Sequence, residues 1–92
     1  MKYISIDMSL GGITRRLVTV FPEAVTHEIM ARSLISAYRE EWPRSLLSIH
    51  AAGFTNAQMV DAHGKSESMG GVKSDPMDAQ MFNTSDYSGN IL

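Results

Sequence analysis

Residues 3–21 read Y-I-S-I-D-M-S-L-G-G-I-T-R-R-L-V-T-V-F, and their alternation decides the fold. Ile4, Ile6, Met8 and Leu10 share one side of an extended chain, while Tyr3, Ser5, Asp7 and Ser9 share the other. A period of two marks a half-buried strand, because successive side chains of a pleated chain point to opposite faces. Gly11-Gly12 can adopt the positive φ angles of a tight turn at no steric cost. The returning segment places Arg16, Val18 and Val20 on one side and Arg15, Leu17, Thr19 and Phe21 on the other. Apolar residues on both sides near its end predict an inner strand. Residues 3–21 therefore read as a β-hairpin.

Downstream, Pro22 ends the strand by removing a backbone donor. Thr26 is suited to cap a helix, and Glu28 in the first turn favours the helix dipole. Val25, Ile29, Met30, Leu34, Ala37, Tyr38 and Trp42 recur at three- and four-residue steps, predicting an amphipathic helix over 26–41. Pro43 disfavours helical geometry at Trp42. Residues 45–52 read as a third strand, 53–56 as a turn or bulge, and 58–63 as a fourth strand. A Gly/Ser loop then leads to a short helix capped by Ser74 or Asp75, with Pro76 tolerated in its first turn. The expected fold is α+β: a small antiparallel or mixed sheet in β-β-α-β-β order, one main helix on a face, and a short C-terminal helix. Residues 1–82 form one domain, and 83–92, with little to bury, a loosely ordered tail.

Composition excludes several chemistries. The 92 residues contain no cysteine, so disulfides, thiolate metal sites and cysteine nucleophiles are ruled out. That absence favours a reducing cytoplasm, and the N-terminus reads as neither a signal peptide nor a membrane span. Net charge is −2, with a slight positive excess in the first 50 residues and the acidic excess in the rest. Nucleic acid, which needs a basic footprint, is an unlikely partner on this count.

The candidate motifs are mostly incomplete. Gly64-Lys65-Ser66 resembles the end of a phosphate loop, but the required upstream glycine is Met59. Gly70-Gly71 beside Lys65 and Lys73 has the composition of an anion-binding nest, with a plain connecting loop as the default reading. His50, His63 and Asp61 are residue types that could hold a metal if paired strands brought them together; ordinary hydrogen-bonded histidines are the simpler reading. No nucleophile elbow accompanies the serines, and Glu40-Glu41 diverge by about 100° on a helix. Arg15 and Arg16 face opposite sides, so neither face gathers a basic, aromatic platform. Of seven methionines, Met8 and Met30 are expected in the core, with Met69, Met77 and Met81 covering it.

The segments S-I-H-A-A-G-F (48–54), G-K-S-E-S-M-G (64–70) and K-S-D-P-M-D-A (73–79) resemble small proteins encoded by bacteriophages and prophages. The resemblance covers about the last third of the fold and implies a phage setting but no activity. Together with the incomplete catalytic motifs, the uneven charge and the acidic Gly/Met-rich end, that setting leads to the expectation of a non-enzymatic accessory protein without cofactor, acting in the host cytoplasm on a protein partner. Inhibition of a host or defence factor is its concrete form. The alternatives are a virion structural or assembly protein and a weak nucleic-acid-binding module; a homodimer is expected from the unpaired edges of a short sheet. The residues expected to meet a partner are Lys65, Glu67, Lys73, Asp75 and Asp78, with Arg32, Arg39 and Phe54 as the hot-spot types.

Overall fold

Gly11 and Gly12 take φ angles of +60° and +83° and close a hairpin whose strands, β1 (Lys2–Leu10) and β2 (Ile13–Phe21), pair along their whole length. This computed structural model describes residues 1–56, 58 and 61–82. The expected tail, 83–92, lies outside the described residues. A helix, α1 (His27–Glu41), follows, and β3 (Leu46–Phe54) returns antiparallel to β1. Two short strands, β4 (Lys65–Ser66) and β5 (Val72–Lys73), form a separate ladder, and a 3₁₀ helix spans Pro76–Met81. The fold is α+β. No helix among the described residues is long and apolar enough to cross a membrane.

Strand order is β2-β1-β3, which corrects one expectation: β1 is the inner strand and β2 lies at the edge. Both sides of Leu17–Phe21 are buried because different elements cover the two faces of the sheet. On one face, Ile4, Phe21 and Ala52 meet Met30 and Ala31 of α1, with Leu34 and Met69 packed around them. On the other, Tyr3, Val18 and Val20 meet Ala62 and Phe82, with Ala79 and Met81 of the 3₁₀ helix beside them. An edge strand sandwiched in this way carries the apolar pattern of a central one.

Helix α1 begins where expected, with Thr26 Oγ1 accepting from the Ile29 N–H at 3.2 Å. Its buried residues are His27, Met30 and Ala31, whereas Ile29, assigned to the stripe by spacing, is exposed. Met8 and Met30 are buried, and Met77 faces outward. Of the expected fourth strand, the described residues provide only one bridge, His63 to Phe54; Met59 and Val60 lie outside the described residues.

The third strand holds the decisive irregularity. Ser5 pairs with Ala51 but Ile6 with Ile49, so His50 is an extra residue in a β-bulge. The alternation slips at that point. Leu47 and Ile49 face α1 together with Ala52, while Ala51 turns to the opposite face.

Candidate functional site

The face of β1 opposite α1 carries Tyr3, Ser5 and Asp7, and β2 places Arg16 directly across from Asp7. Arg16 grips that carboxylate with two bonds, Nε to Oδ1 at 2.8 Å and Nη2 to Oδ2 at 3.1 Å. Such a fork-to-carboxylate match holds both groups in one plane. Arg16 Nη2 also donates to His50 Nδ1 at 3.1 Å, and His50 Nε2 lies 2.6 Å from Asp75 Oδ2. A guanidinium can only donate, so Nδ1 is the acceptor and neutral His50 carries its proton on Nε2, pointed at Asp75.

The residue before the 3₁₀ helix and the helix itself complete the cluster. Asp75 caps it, accepting from the Met77 N–H at 2.9 Å, and its own N–H donates to Tyr3 Oη at 2.9 Å. Asp78 turns fully inward; Ser5 O–H donates to its Oδ2 at 2.7 Å. Its Oδ1 is buried and receives no hydrogen bond. Arg16 Nη1 stands 3.6 Å from that oxygen, outside hydrogen-bonding range.

The electrostatics split the three carboxyl groups. The Arg16 hydrogen bonds hold Asp7 below the usual carboxylate range, and the bond to His50 does the same for Asp75. Loss of solvation pushes Asp78 the other way, with the charge of Asp75 adding to the effect. Burial also raises the Tyr3 phenol far above its ordinary value, so its hydroxyl serves as a hydrogen-bonding group and not as an acid.

The eight residues expected to meet a partner do not converge. Lys65, Glu67 and Phe54 line one cleft of about 360 Å³ together with Lys2, Thr26, His27 and Ser68. Lys73 pairs across the small ladder from Lys65. Arg32 and Arg39 lie exposed on α1, Arg32 bonded to Glu28 at 2.6 Å. Asp75 and Asp78 instead belong to the polar cluster, and Asp78, being buried, is no part of an outward surface. The 3₁₀ turn buries Asp78 and packs Ala79 against the core of this face.

Two other candidate groups also resolve. His63 bonds Asp61 at 2.8 Å, but His50 joins Arg16 and Asp75, so the two histidines belong to separate groups. The proposed glycine nest is spent internally: Gly70 N–H donates to the Glu67 carbonyl and Gly71 N–H to the Ser66 carbonyl. Asp7, Arg16 and Ser5 were not legible as a site, and His50 was grouped with His63 and Asp61 instead. The available signal was that the two polar ends of β1 and β2, Asp7 and Arg16, fall on one face.

His27 gives a pH prediction. It is buried, its Nε2–H donates to the Gly53 carbonyl at 2.8 Å, and Phe21 and Phe54 stand edge-on to the ring. Desolvation, with the Lys2 charge, lowers its pKa. The folded state therefore binds fewer protons than the unfolded one below about 6.5, the ordinary histidine value, and stability falls as pH drops through that point. His27→Gln, which can keep the donor to Gly53, is expected to flatten this slope in urea titrations. An unchanged slope would show that His27 is not its source.

Fold and cluster together define a class: a small α+β protein with a helix on one face of a three-stranded antiparallel sheet and a polar cluster beneath a 3₁₀ helix on the other. No family model, curated protein or solved structure matches the chain.

Proposed function

We propose that this is a small non-enzymatic accessory protein of phage type that acts by binding a protein partner in the host cytoplasm. One observation carries the reading. Leu10 and Ile13, large apolar side chains exposed by 38 and 69%, pair across the hairpin end and point to one face of the sheet. Beside them runs a groove of about 210 Å³ lined by Met8, Leu10, Ile13, Arg15 and Trp42. Burying such residues against a partner removes apolar area from water, and Trp and Arg are the side chains on which interface energy most often concentrates. The partner that fits presents apolar side chains to Ile13 and Trp42 and a carboxylate to Arg15. Ser5, the hydroxyl bonded to a carboxyl group in the cluster, is sealed from solvent, which favours binding over nucleophilic chemistry.

The test is affinity capture from bacterial lysate with the wild-type chain and with Ile13→Asp, a change at an exposed position that leaves the core intact. A partner retained by the wild type and lost by the variant is the expected result. Capture undiminished by the substitution, or no reproducible partner, overturns the reading. Self-association that Ile13→Asp abolishes, measured by light scattering, would favour the virion-assembly alternative instead.

A further inference from the structure

We propose that His50, Asp75 and Asp78 form a binding site for one divalent transition-metal cation. One donor atom from each of the three lies within 4.8 Å of the others. A cation roughly 2.1 Å from each ligand holds neighbouring donors about 3.0–3.5 Å apart. The observed separations begin at 2.6 Å, between His50 Nε2 and Asp75 Oδ2, so modest side-chain rotations bring the set into range.

Clustered carboxylates alone would carry little weight. The independent observation is Asp78: its side chain is 1% exposed, Ser5 satisfies one oxygen, and the other receives no hydrogen bond, with the Arg16 guanidinium near it only as an ion-pair partner at 3.6 Å. A buried acceptor without a donor costs free energy, and native proteins tolerate one mainly where a ligand, ion or water completes it. The bulge adds a second geometric argument. It delivers His50 to this face out of the sheet register, and bulges recur where a side chain is re-aimed into a site.

Charge agrees. Asp7, Asp75 and Asp78 surround the single guanidinium of Arg16. Fully ionised, they leave two negative charges uncompensated, the charge of one divalent ion. His50 and Asp75 are each about a quarter exposed, at 27 and 28%, so solvent reaches the remaining coordination positions.

Binding also has a proton balance. The ion replaces the proton that Nε2 holds toward Asp75, and that proton leaves to water. Another is taken up at Nδ1, so the imidazole stays neutral. Asp7 Oδ2, 3.7 Å from Nδ1, accepts the new N–H once Arg16 Nη2 turns away. This is the carboxylate–histidine–metal arrangement that fixes ligand tautomers in many sites. An imidazole with two carboxylates suits Mn²⁺, Fe²⁺ or Zn²⁺ better than Ca²⁺ or Mg²⁺, which prefer all-oxygen shells.

The experiment uses the full chain treated with EDTA, then titrated with MnCl₂ and, in parallel, MgCl₂, following thermal unfolding and NMR line broadening. Mn²⁺ is expected to raise the unfolding midpoint saturably and to broaden the His50 ring and Asp78 amide signals selectively, with Mg²⁺ weaker. Asp78→Asn keeps an acceptor for Ser5 and removes a buried charge, so its metal-free midpoint should equal or exceed that of the wild type. Its Mn²⁺ affinity should fall at least about tenfold. Asp61→Asn, at the separate His63 pair, should leave Mn²⁺ affinity and the selective broadening unchanged. No midpoint shift and no selective broadening at millimolar Mn²⁺ overturns the proposal, as does undiminished binding by Asp78→Asn. Should that variant fail to fold, His50→Gln gives the same comparison.

Discussion

Replacing Gly53 with alanine is expected to lower the midpoint of thermal unfolding by roughly 10–20 °C, from a loss of about 2–3 kcal/mol. The reason is space, not backbone conformation. A Cβ at Gly53 would stand 2.5 Å from the His63 carbonyl oxygen and 2.7 Å from Ser74 Cβ. The first is backbone, held by the reciprocal Phe54–His63 hydrogen bonds of 2.8 and 2.9 Å, so it cannot swing aside. Relief requires β3 to separate from the segment that carries His63 and Gly64. The same movement would disturb the Gly53 carbonyl on which buried His27 depends. Gly70→Ala is the control. That residue has φ of +72° with nothing within 4 Å, so only the left-handed backbone cost of about 1–2 kcal/mol applies. If Gly53→Ala unfolds within about 0.5 kcal/mol of the wild type, a threshold typical of neutral surface changes, the close approach is not rigid.

Tyr3→Ala should cost about 3–5 kcal/mol, a large part of the roughly 5–15 kcal/mol that holds a small domain together. Tyr3 is fully buried near the start of the central strand, its ring edge-on to Phe82 at 5.2 Å. The Asp75 N–H donates to its oxygen, and its O–H faces the Asp75 carbonyl at 3.5 Å. Truncation removes the packing and leaves that amide without its acceptor. Tyr3→Phe keeps the ring and should cost about 1–2 kcal/mol, the penalty of one unsatisfied buried group. Urea titrations of the two variants separate the terms. Equal losses would mean that the hydroxyl, and not the ring, anchors the 3₁₀ helix. A Tyr3→Phe variant as stable as the wild type would remove the hydroxyl from the account.

Much of the architecture was legible because it depends on local rules. Alternation across residues 3–21, the glycine pair, Thr26 as a cap and Pro43 as a stop each act over a few residues and hold in the structure. The position of β2 was misread because a strand covered on both faces looks central wherever it lies in the order. Ile29 was misassigned for a related reason: helical spacing defines a stripe, but the sheet's position decides which edge of it is buried.

The polar cluster was not legible as a unit: Asp75 and Asp78 were assigned to a partner surface and His50 was grouped with His63 and Asp61. Its members come from β1, β2, the bulge of β3 and the start of the 3₁₀ helix, separated by up to 73 residues. A strict period of two assigns His50 to the face of Ala52, and only the extra bulged residue breaks that assignment. Nothing in the local sequence announces it, because a bulge is settled by what each strand pairs with.

By itself, then, the sequence determined the hairpin, the capped helix, the third strand and the glycine-jointed connection to a short helix. Each follows from side-chain period, backbone freedom or capping within a few residues. Only the tertiary structure decided which strand is central, which carboxyl group is buried, and that His50 meets Arg16 and Asp75. Those outcomes depend on long-range pairing and on the loss of solvent around particular groups, which no short stretch of chain encodes alone.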